Sequence, residues 1–501
     1  MSNYNRSKHF VSFRRNTLKM KLELEQCGRA RNPHVLVLPC PAQGHLNPAL
    51  QFSKLLTSKG VNVTLVIVTA TELSCGQLGS VQVKQLSYSD STENCEEEED
   101  EERDGYGNCD LLKQYRKTLK MKLPGVVSEV EAGGDRVVCL VYDSLLWWCL
   151  GVAKKLNLVG AAFFTQSCSV DAIYCGVREG RVRVPVGLDE RNEVFVEGIG
   201  RMLELHDLPS FFFEPEDPPG SFDLLSAQFT NVGLADWVFC NTFTTLEAEV
   251  LEYMGSRFKF KPVGPTIPST YLGKQLAGDT AHDYGLSYFK PKPEANNYVA
   301  EWLDSKEQGS VVYVSFGSLV AVSGEQIAEV AAALKATDYP FLWVVRESEE
   351  SKLPQNFLRE TSQNGVVLRW CSQLEVLAHR STGCFLTHCG WNSTMEAMSL
   401  GVPMVGVPWV SDQTTNAKFI ADVWKVGVRV VKKTEKSVVE REEIGAAVIE
   451  VMEGEMGKRI RRNAEKWKGI ARAAAAKGGS SDKNIEEFVA ELEVYNSQQR
   501  L

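Results

Sequence analysis

Short apolar runs recur along the chain, each bounded by turn-forming or capping residues. His34 to Leu38, Val63 to Val68, Val137 to Asp143 and Trp237 to Thr242 form one set. Ser310 to Phe316, Phe341 to Val345, Gly365 to Leu368 and Cys384 to Thr387 form a second. Their length and near-continuous apolar character predict strands buried on both faces. Longer stretches separate them. Pro41 to Pro48, for example, turns into a helix running through Leu56. Strand and helix in alternation predict parallel sheets with helices on both faces, where ligands sit beyond the carboxyl ends of the strands.

Between the two sets, Pro262, Pro265 and Pro268 exclude a helix. The expected organisation is therefore an extension over 1–32, a domain over 33–261, a linker over 262–293 and a second domain over 294–480. A closing helix and tail follow over 481–501. In that helix, from about Ser481 to Tyr495, Ile485, Phe488, Val489 and Leu492 recur on one face. A length of 501 residues also favours two domains. The stretches from Thr71 to Leu119 and from Cys175 to Gly220 read as irregular and loop-rich.

Composition and charge remove several classes. The net charge of −9 comes without any basic stripe, which argues against a nucleic-acid partner. Glu93 to Asp104 concentrates like charges and reads as a solvated loop. The basic extension before Asn32 has no apolar core and is no secretory signal. No apolar run approaches the ~18 residues that cross a bilayer. Thirteen cysteines, an odd count with no paired framework, suit a reducing compartment. His379, His388, Cys384 and Cys389 crowd together, but their spacing is not that of a zinc knuckle.

The chemistry concentrates between Trp370 and Gln413. The strand ending at Thr387 leads through His388-Cys389-Gly390 into a helix expected from about Thr394, with Asn392 and Ser393 as capping types and Glu396 in its first turn. Such a strand–turn–helix offers free backbone N–H groups and a positive helix end to a phosphate or pyrophosphate. Asp412 and Gln413 suit a polyhydroxylated ligand. In the first set, His45 follows one strand in a tight loop bracketed by Gly44 and Pro48, and Asp143 ends another. Parallel strands place such tips side by side, so the carboxylate can hold one imidazole nitrogen and leave the other as a base. Asp143 is equally a helix-capping type before Ser144. Gly317-Ser318 after a β-branched strand suits phosphate contact or simply a tight turn. Trp147, Phe163, Phe164 and Phe211 to Phe213 are candidates for an apolar pocket or for the core.

The segment from Trp370 to Gln413 resembles, without interruption, the signature box of the plant UDP-dependent glycosyltransferases, and the resemblance extends from about Pro33 to Val489. It implies an α/β fold of two Rossmann-like doubly wound domains facing across a cleft, the GT-B type, with acceptor bound by the first and UDP-sugar by the second. It also implies roles. His45 deprotonates the acceptor and Asp143 holds that histidine. Trp370 stacks on uracil, while Cys371, Gln373 and Glu396 belong to the uridine site. Ser318, His388, Asn392 and Ser393 receive the diphosphate. Thr165, Asp412 and Gln413 hold the sugar, and Trp391 lies between sugar and UDP. Gln413 at the last box position goes with glucose, so UDP-glucose is the expected co-substrate, with no separate cofactor. No Asp-x-Asp motif is present, so no metal ion is expected, and a helix end, backbone donors and His388 take over that task.

Family members often read Pro-Gln-Trp before the closing Asp-Gln; here Pro408 is followed by Trp409 and Val410, which turns the aromatic to the other side. Val263 to Ser269 and Gly478 to Asp482 look most like the subgroup that glucosylates small carboxylic acids such as salicylate and auxin. The animal relatives carry a C-terminal anchor, whereas Asn496 to Arg500 is polar. A cytoplasmic monomer acting on a phenol, carboxylic acid or terpenoid is expected. The alternative is an inactive UDP-sugar-binding homologue. A dinucleotide oxidoreductase lacks its G-x-G-x-x-G here, and a serine hydrolase its G-x-S-x-G.

Overall fold

The computed structural model describes residues 32–69, 76–88, 110–183, 193–213, 220–273, 276, 279, 284, 293–318, 321–430 and 438–499. The basic extension up to residue 31, the acidic run 93–104 and most of the tract before Lys292 lie outside them.

Two sheets carry the fold. In the first, β1 (Pro33–Leu38), β2 (Asn62–Val68), β3 (Gln77–Leu78), β4 (Val81–Leu86), β5 (Arg136–Asp143), β6 (Val159–Phe164), β9 (Trp237–Cys240) and β10 (Phe260–Pro262) lie in the order β10-β9-β6-β5-β1-β2-β4-β3. All its neighbours are parallel except β3 on β4. A small antiparallel hairpin, β7 (Glu193–Phe195) and β8 (Met202–Glu204), stands apart. The second sheet is wholly parallel: β11 (Val311–Ser315), β12 (Phe341–Val344), β13 (Gly365–Leu368), β14 (Thr382–Thr387), β15 (Met404–Gly406) and β16 (Gly427–Arg429), in the order β13-β12-β11-β14-β15-β16. Both are doubly wound, so the molecule is α/β with two Rossmann-like halves.

Three readings change. The stretch from Thr71 to Leu119, expected to be irregular, holds β4 and the start of helix Asp110–Ala132. Strand β4 escapes notice because Gln82, Lys84 and Gln85 interrupt its apolar pattern near the sheet edge. The stretch from Cys175 to Gly220 includes the β7–β8 hairpin. Trp237 to Thr242, the run expected to supply the last main strand of the first domain, is followed by a further edge strand, β10, which ends in Pro262, a residue tolerated where no further neighbour needs its N–H.

The closing helix runs Ser480–Gln498. Its Ile485, Phe488, Val489 and Leu492 are buried among Phe52, Phe163, Trp237 and Phe239 of the first half. The chain thus crosses back, and one face of the first sheet is completed by residues that follow the second. Among the described residues no helix is long and apolar enough to cross a membrane.

Candidate active site

Each sheet reverses its strand order once, at β1 beside β5 and at β11 beside β14. A crevice opens at the carboxyl ends of strands at such a point. Leu38 and Asp143 end one pair, Ser315 and Thr387 the other. The residues that follow line a shared cleft of about 1300 Å³, larger than a single small-molecule pocket of roughly 300–1,000 Å³.

On the first wall, His45 Nδ1 lies 2.7 Å from Asp143 Oδ2 and 3.0 Å from Thr165 Oγ1. Asp143 Oδ1 accepts from the Leu145 N–H at 3.0 Å. The carboxylate therefore caps the turn that follows it and holds the histidine as well. The His45 side chain is 19% exposed and that of Asp143 only 2%. With Nδ1–H donated to Asp143, Nε2 is left as the basic nitrogen. Burial pulls the His45 pKa down, but the charge and hydrogen bond of Asp143 and the charge of Asp412 outweigh it and leave it above its ordinary value.

His45 does not sit in a tight loop. Helix α1 (Gln43–Thr57) begins before it and contains Pro48. Pro48 has no N–H to give to the Gly44 carbonyl four residues back. That carbonyl accepts instead from Asn392 Nδ2 of the opposite wall, at 2.5 Å.

On the second wall, helix α4 (Trp391–Leu400; α2 being Asp110–Ala132 and α3 Cys168–Arg178) starts earlier than the expected Thr394. Cys389 adopts a left-handed φ of 66°, which tightens the turn and brings Gly390 to the capping position. Asn392 and Ser393 consequently lie within the first turn rather than capping it, and Glu396 lies beyond that turn. The first N–H groups of α4 have no partner within the helix and border the cleft with its positive end. The His388 ring fits between two glycines: a Cβ on Gly317 or Gly390 would stand 2.6 or 2.5 Å from its Nε2. Burial pushes His388 down to about 4, the Ser315 carbonyl opposing. At neutral pH it is uncharged, with a single N–H to donate.

Trp370 is half-buried at the cleft and Ser318 borders it. Gln373 Nε2 donates to Glu396 Oε2 at 2.7 Å and to Ser393 Oγ at 3.0 Å, while its own oxygen accepts from Tyr313 at 3.2 Å. Tyr284 donates to Glu396 Oε1 at 2.8 Å. Burial lifts Glu396 to about 7 against these two donors. Cys371 is buried, with its thiol pushed up to about 12. Trp391 is also buried, and its indole N–H donates to the Asn241 carbonyl of the first half at 2.8 Å.

At the far corner, helix α5 (Gln413–Lys418) is preceded by Asp412. Gln413 Oε1 accepts from the Trp409 and Val410 N–H groups at 2.9 and 3.1 Å, which leaves its amide N–H₂ toward the cleft. Burial raises Asp412 to about 6. Trp409 meets Phe316 edge-on at 5.5 Å against the second core, and Val410 lines the cleft in its place.

Several lining residues carry no sequence signal of their own. Arg346 follows β12, pairs with Glu349 at 2.9 Å and donates to the Ser318 carbonyl at 2.9 Å. Its place after a strand end could have marked it. Tyr284, Asn47, Gln166 and Leu225 also line the cleft. The aromatic candidates do not: Phe163 and Phe164 are fully buried, and Trp147 and Phe212 pack in the core. Among the described residues no group of three or more His, Cys, Asp or Glu side chains is placed to hold a metal ion.

Comparison with known proteins bears on this geometry. Residues 276–464 match the family described as UDP-glucoronosyl and UDP-glucosyl transferase. UDP-glycosyltransferase 74E2 of Arabidopsis thaliana is 45% identical over 91% of this chain and 98% of its own. The chain belongs to the UDP-glycosyltransferase family. Mogroside I-E synthase of Siraitia grosvenorii is 43% identical to this glycosyltransferase over 92% of the chain and 98% of its own. Among solved structures, Os79 from O. sativa in complex with UDP superposes with a TM-score of 0.80 at 35% identity, over 91% of this chain and all of that one. Os79 has also been solved with U2F and a trichothecene, at a TM-score of 0.77 and 34% identity over the same shares. The enzyme thus has the two-domain GT-B fold of its plant relatives.

Proposed function

We propose that this UDP-glycosyltransferase moves glucose from UDP-glucose to a hydroxyl or carboxyl group of a small lipophilic plant metabolite, with inversion at the anomeric carbon and without a metal ion. One observation carries the reading: the 2.7 Å pair of His45 and Asp143 stands across the cleft from the open N-terminus of α4. His45 Nε2 takes the acceptor proton as the acceptor oxygen attacks the anomeric carbon. Asp143 holds the ring and stabilises the imidazolium that forms. The bond from the anomeric carbon to the diphosphate oxygen breaks, and UDP leaves from the opposite face.

Negative charge grows on the diphosphate in that step. The first turn of α4, Ser318 and the neutral His388 supply donors aimed at it, and Arg346 adds a cation nearby. Trp370, with Cys371 behind it, faces the uracil; Gln373 and Glu396 take the ribose; Asn392, Ser393 and the backbone of Trp391 take phosphate. Asp412, Gln413 and Thr165 hold the hexose. Names among the relatives point to varied small molecules: one relative is named for making a mogroside, and Os79 was solved with a trichothecene bound. The tracts Val263 to Ser269 and Gly478 to Asp482 look like a subgroup whose members take small carboxylic acids, thiohydroximates, or terpenoid acids and alcohols, and they do not choose among these.

The test is mass spectrometry of products from UDP-glucose and a mixed panel of phenols, carboxylic acids and terpenoids, with and without chelator. A β-glucoside or glucose ester formed at an unchanged rate in chelator is expected. A strict need for added divalent metal, or product with retained configuration, would refute the mechanism.

A further inference from the structure

Asn416 lies on α5, one turn beyond Asp412, and is 1% exposed. Its Nδ2 donates to Asp412 Oδ2 at 2.8 Å and to the Cys389 carbonyl at 3.0 Å. Its Oδ1 accepts from the Ser167 hydroxyl at 3.1 Å. Two N–H hydrogens and one oxygen are all in use, and only one orientation of the amide satisfies them. Turned over, the oxygen would face a carboxylate and a carbonyl. The three partners belong to separate parts of the site. Asp412 is the candidate hexose ligand. Cys389 makes the left-handed turn that sets where α4 begins. Ser167 caps α3 in the acceptor domain, receiving the Val170 N–H on its oxygen while its own hydrogen goes to Asn416.

We infer that Asn416 is a positioning residue for sugar transfer: it aims the Asp412 carboxylate at the hexose and ties that aim to the acceptor domain through Ser167. This rests on the reading that Asp412 holds the hexose. A buried amide with every group satisfied could also be plain packing. The two roles differ in what they touch. Packing supports the whole box and therefore UDP and UDP-glucose alike. Aiming Asp412 concerns only the ligand that carries a hexose.

The test is calorimetric binding of UDP and of UDP-glucose to the full chain. Asn416→Asp keeps the size of the side chain but sets a carboxylate against Asp412. It should weaken UDP-glucose about tenfold or more and UDP several-fold less, since the hydrogen bond lost to Asp412 is one to a charged group while that lost to the Cys389 carbonyl, at the turn before α4, is neutral. Asn416→Ala should act in the same sense. Ser167→Ala leaves every box residue intact and should weaken UDP-glucose about threefold, the loss of one neutral hydrogen bond. Equal weakening of both ligands by the Asn416 variants, or no weakening of either, overturns the inference. If those variants do not fold, Ser167→Ala decides, and an unchanged ratio of the two affinities overturns it. Asp412→Ala separates the premises. A wild-type ratio in that variant refutes the hexose-holding reading itself. A changed ratio there beside unchanged ratios in the Asn416 variants refutes the positioning role alone.

Discussion

At His45 two requirements pull in opposite directions. A general base must be neutral to accept a proton, yet Asp143 and Asp412 both favour the protonated ring. The raised pKa means that activity on a hydroxyl acceptor should climb with pH through a limb lying above 6.5, as the imidazolium loses its proton. A phenol near pKa ~10 needs that base, whereas a carboxylic acid near ~4 is ionised before it binds. His45→Ala should therefore cost about 10²–10⁴ in kcat/KM with a phenol and far less with a benzoate, and only the phenol should show the acid limb. Equal losses on both would make His45 a positioning group. Glu396 offers a second residue-scale check. Burial lifts it to about 7, so at neutral pH a good part of it is protonated in the empty site. On the proposed reading, ribose hydroxyls donate to its ionised form. Binding of UDP-glucose near pH 7 should then release a fraction of a proton, read as a dependence of binding enthalpy on buffer ionisation. Glu396→Gln should abolish that release; a release unchanged in the variant would place the titration elsewhere.

Elements supply what single residues cannot. Phe488 of the closing helix is fully buried, with its ring edge-on to Trp237 at 5.3 Å and to Phe239 at 4.9 Å. Phe488→Ala should lower stability by about 3–5 kcal/mol in denaturant unfolding. A loss under about 1 kcal/mol would mean that the helix only drapes over the sheet. This element was legible from sequence because Ile485, Phe488, Val489 and Leu492 keep helical period, and the central strands were legible because burial on both faces leaves unbroken apolar runs. His45 and Asp143 were legible because each follows or ends such a run. Elsewhere local pattern and tertiary context part company. Strand β4, next to the edge, and the edge strand β10 carry polar residues or proline, and no periodicity marks them. The start of α4 depends on Cys389 entering a backbone region that favours glycine, a choice enforced by the packed surroundings. Pro48 sits inside α1 because Asn392, more than three hundred positions later, takes up the carbonyl it leaves bare. Asn416 gains meaning from Ser167 and Cys389, partners distant in sequence.

The whole molecule is two crevices brought face to face, and specific contacts keep them so. Asn392 and Trp391 reach Gly44 and Asn241, and Ser411 exchanges two hydrogen bonds with Ser210. Thr414 and Thr415 donate to the Leu208 and Asp207 carbonyls at 2.6 and 2.7 Å. An electrostatic tie is made by Asp207, 1% exposed, which meets Arg429 at 2.6 Å and Lys418 at 3.2 Å. This strap grips α5, which follows the proposed hexose ligands Asp412 and Gln413, so on that reading closure of the domains and assembly of the sugar site should be coupled. Removing the carboxylate leaves Lys418 and Arg429 with the half-exposed Asp422, 2.9 and 3.7 Å away, and loss of one member of a largely buried cluster costs at most about 3 kcal/mol. Asp207→Ala should therefore shift the free enzyme toward an open form, and the apparent affinity for UDP-glucose should fall with the closed fraction. Small-angle scattering should show the variant expanded without donor and restored to wild-type dimensions at saturating UDP-glucose. Unchanged dimensions and donor affinity, with only a lower melting temperature, would reduce Asp207 to a local pin and separate closure from the sugar site.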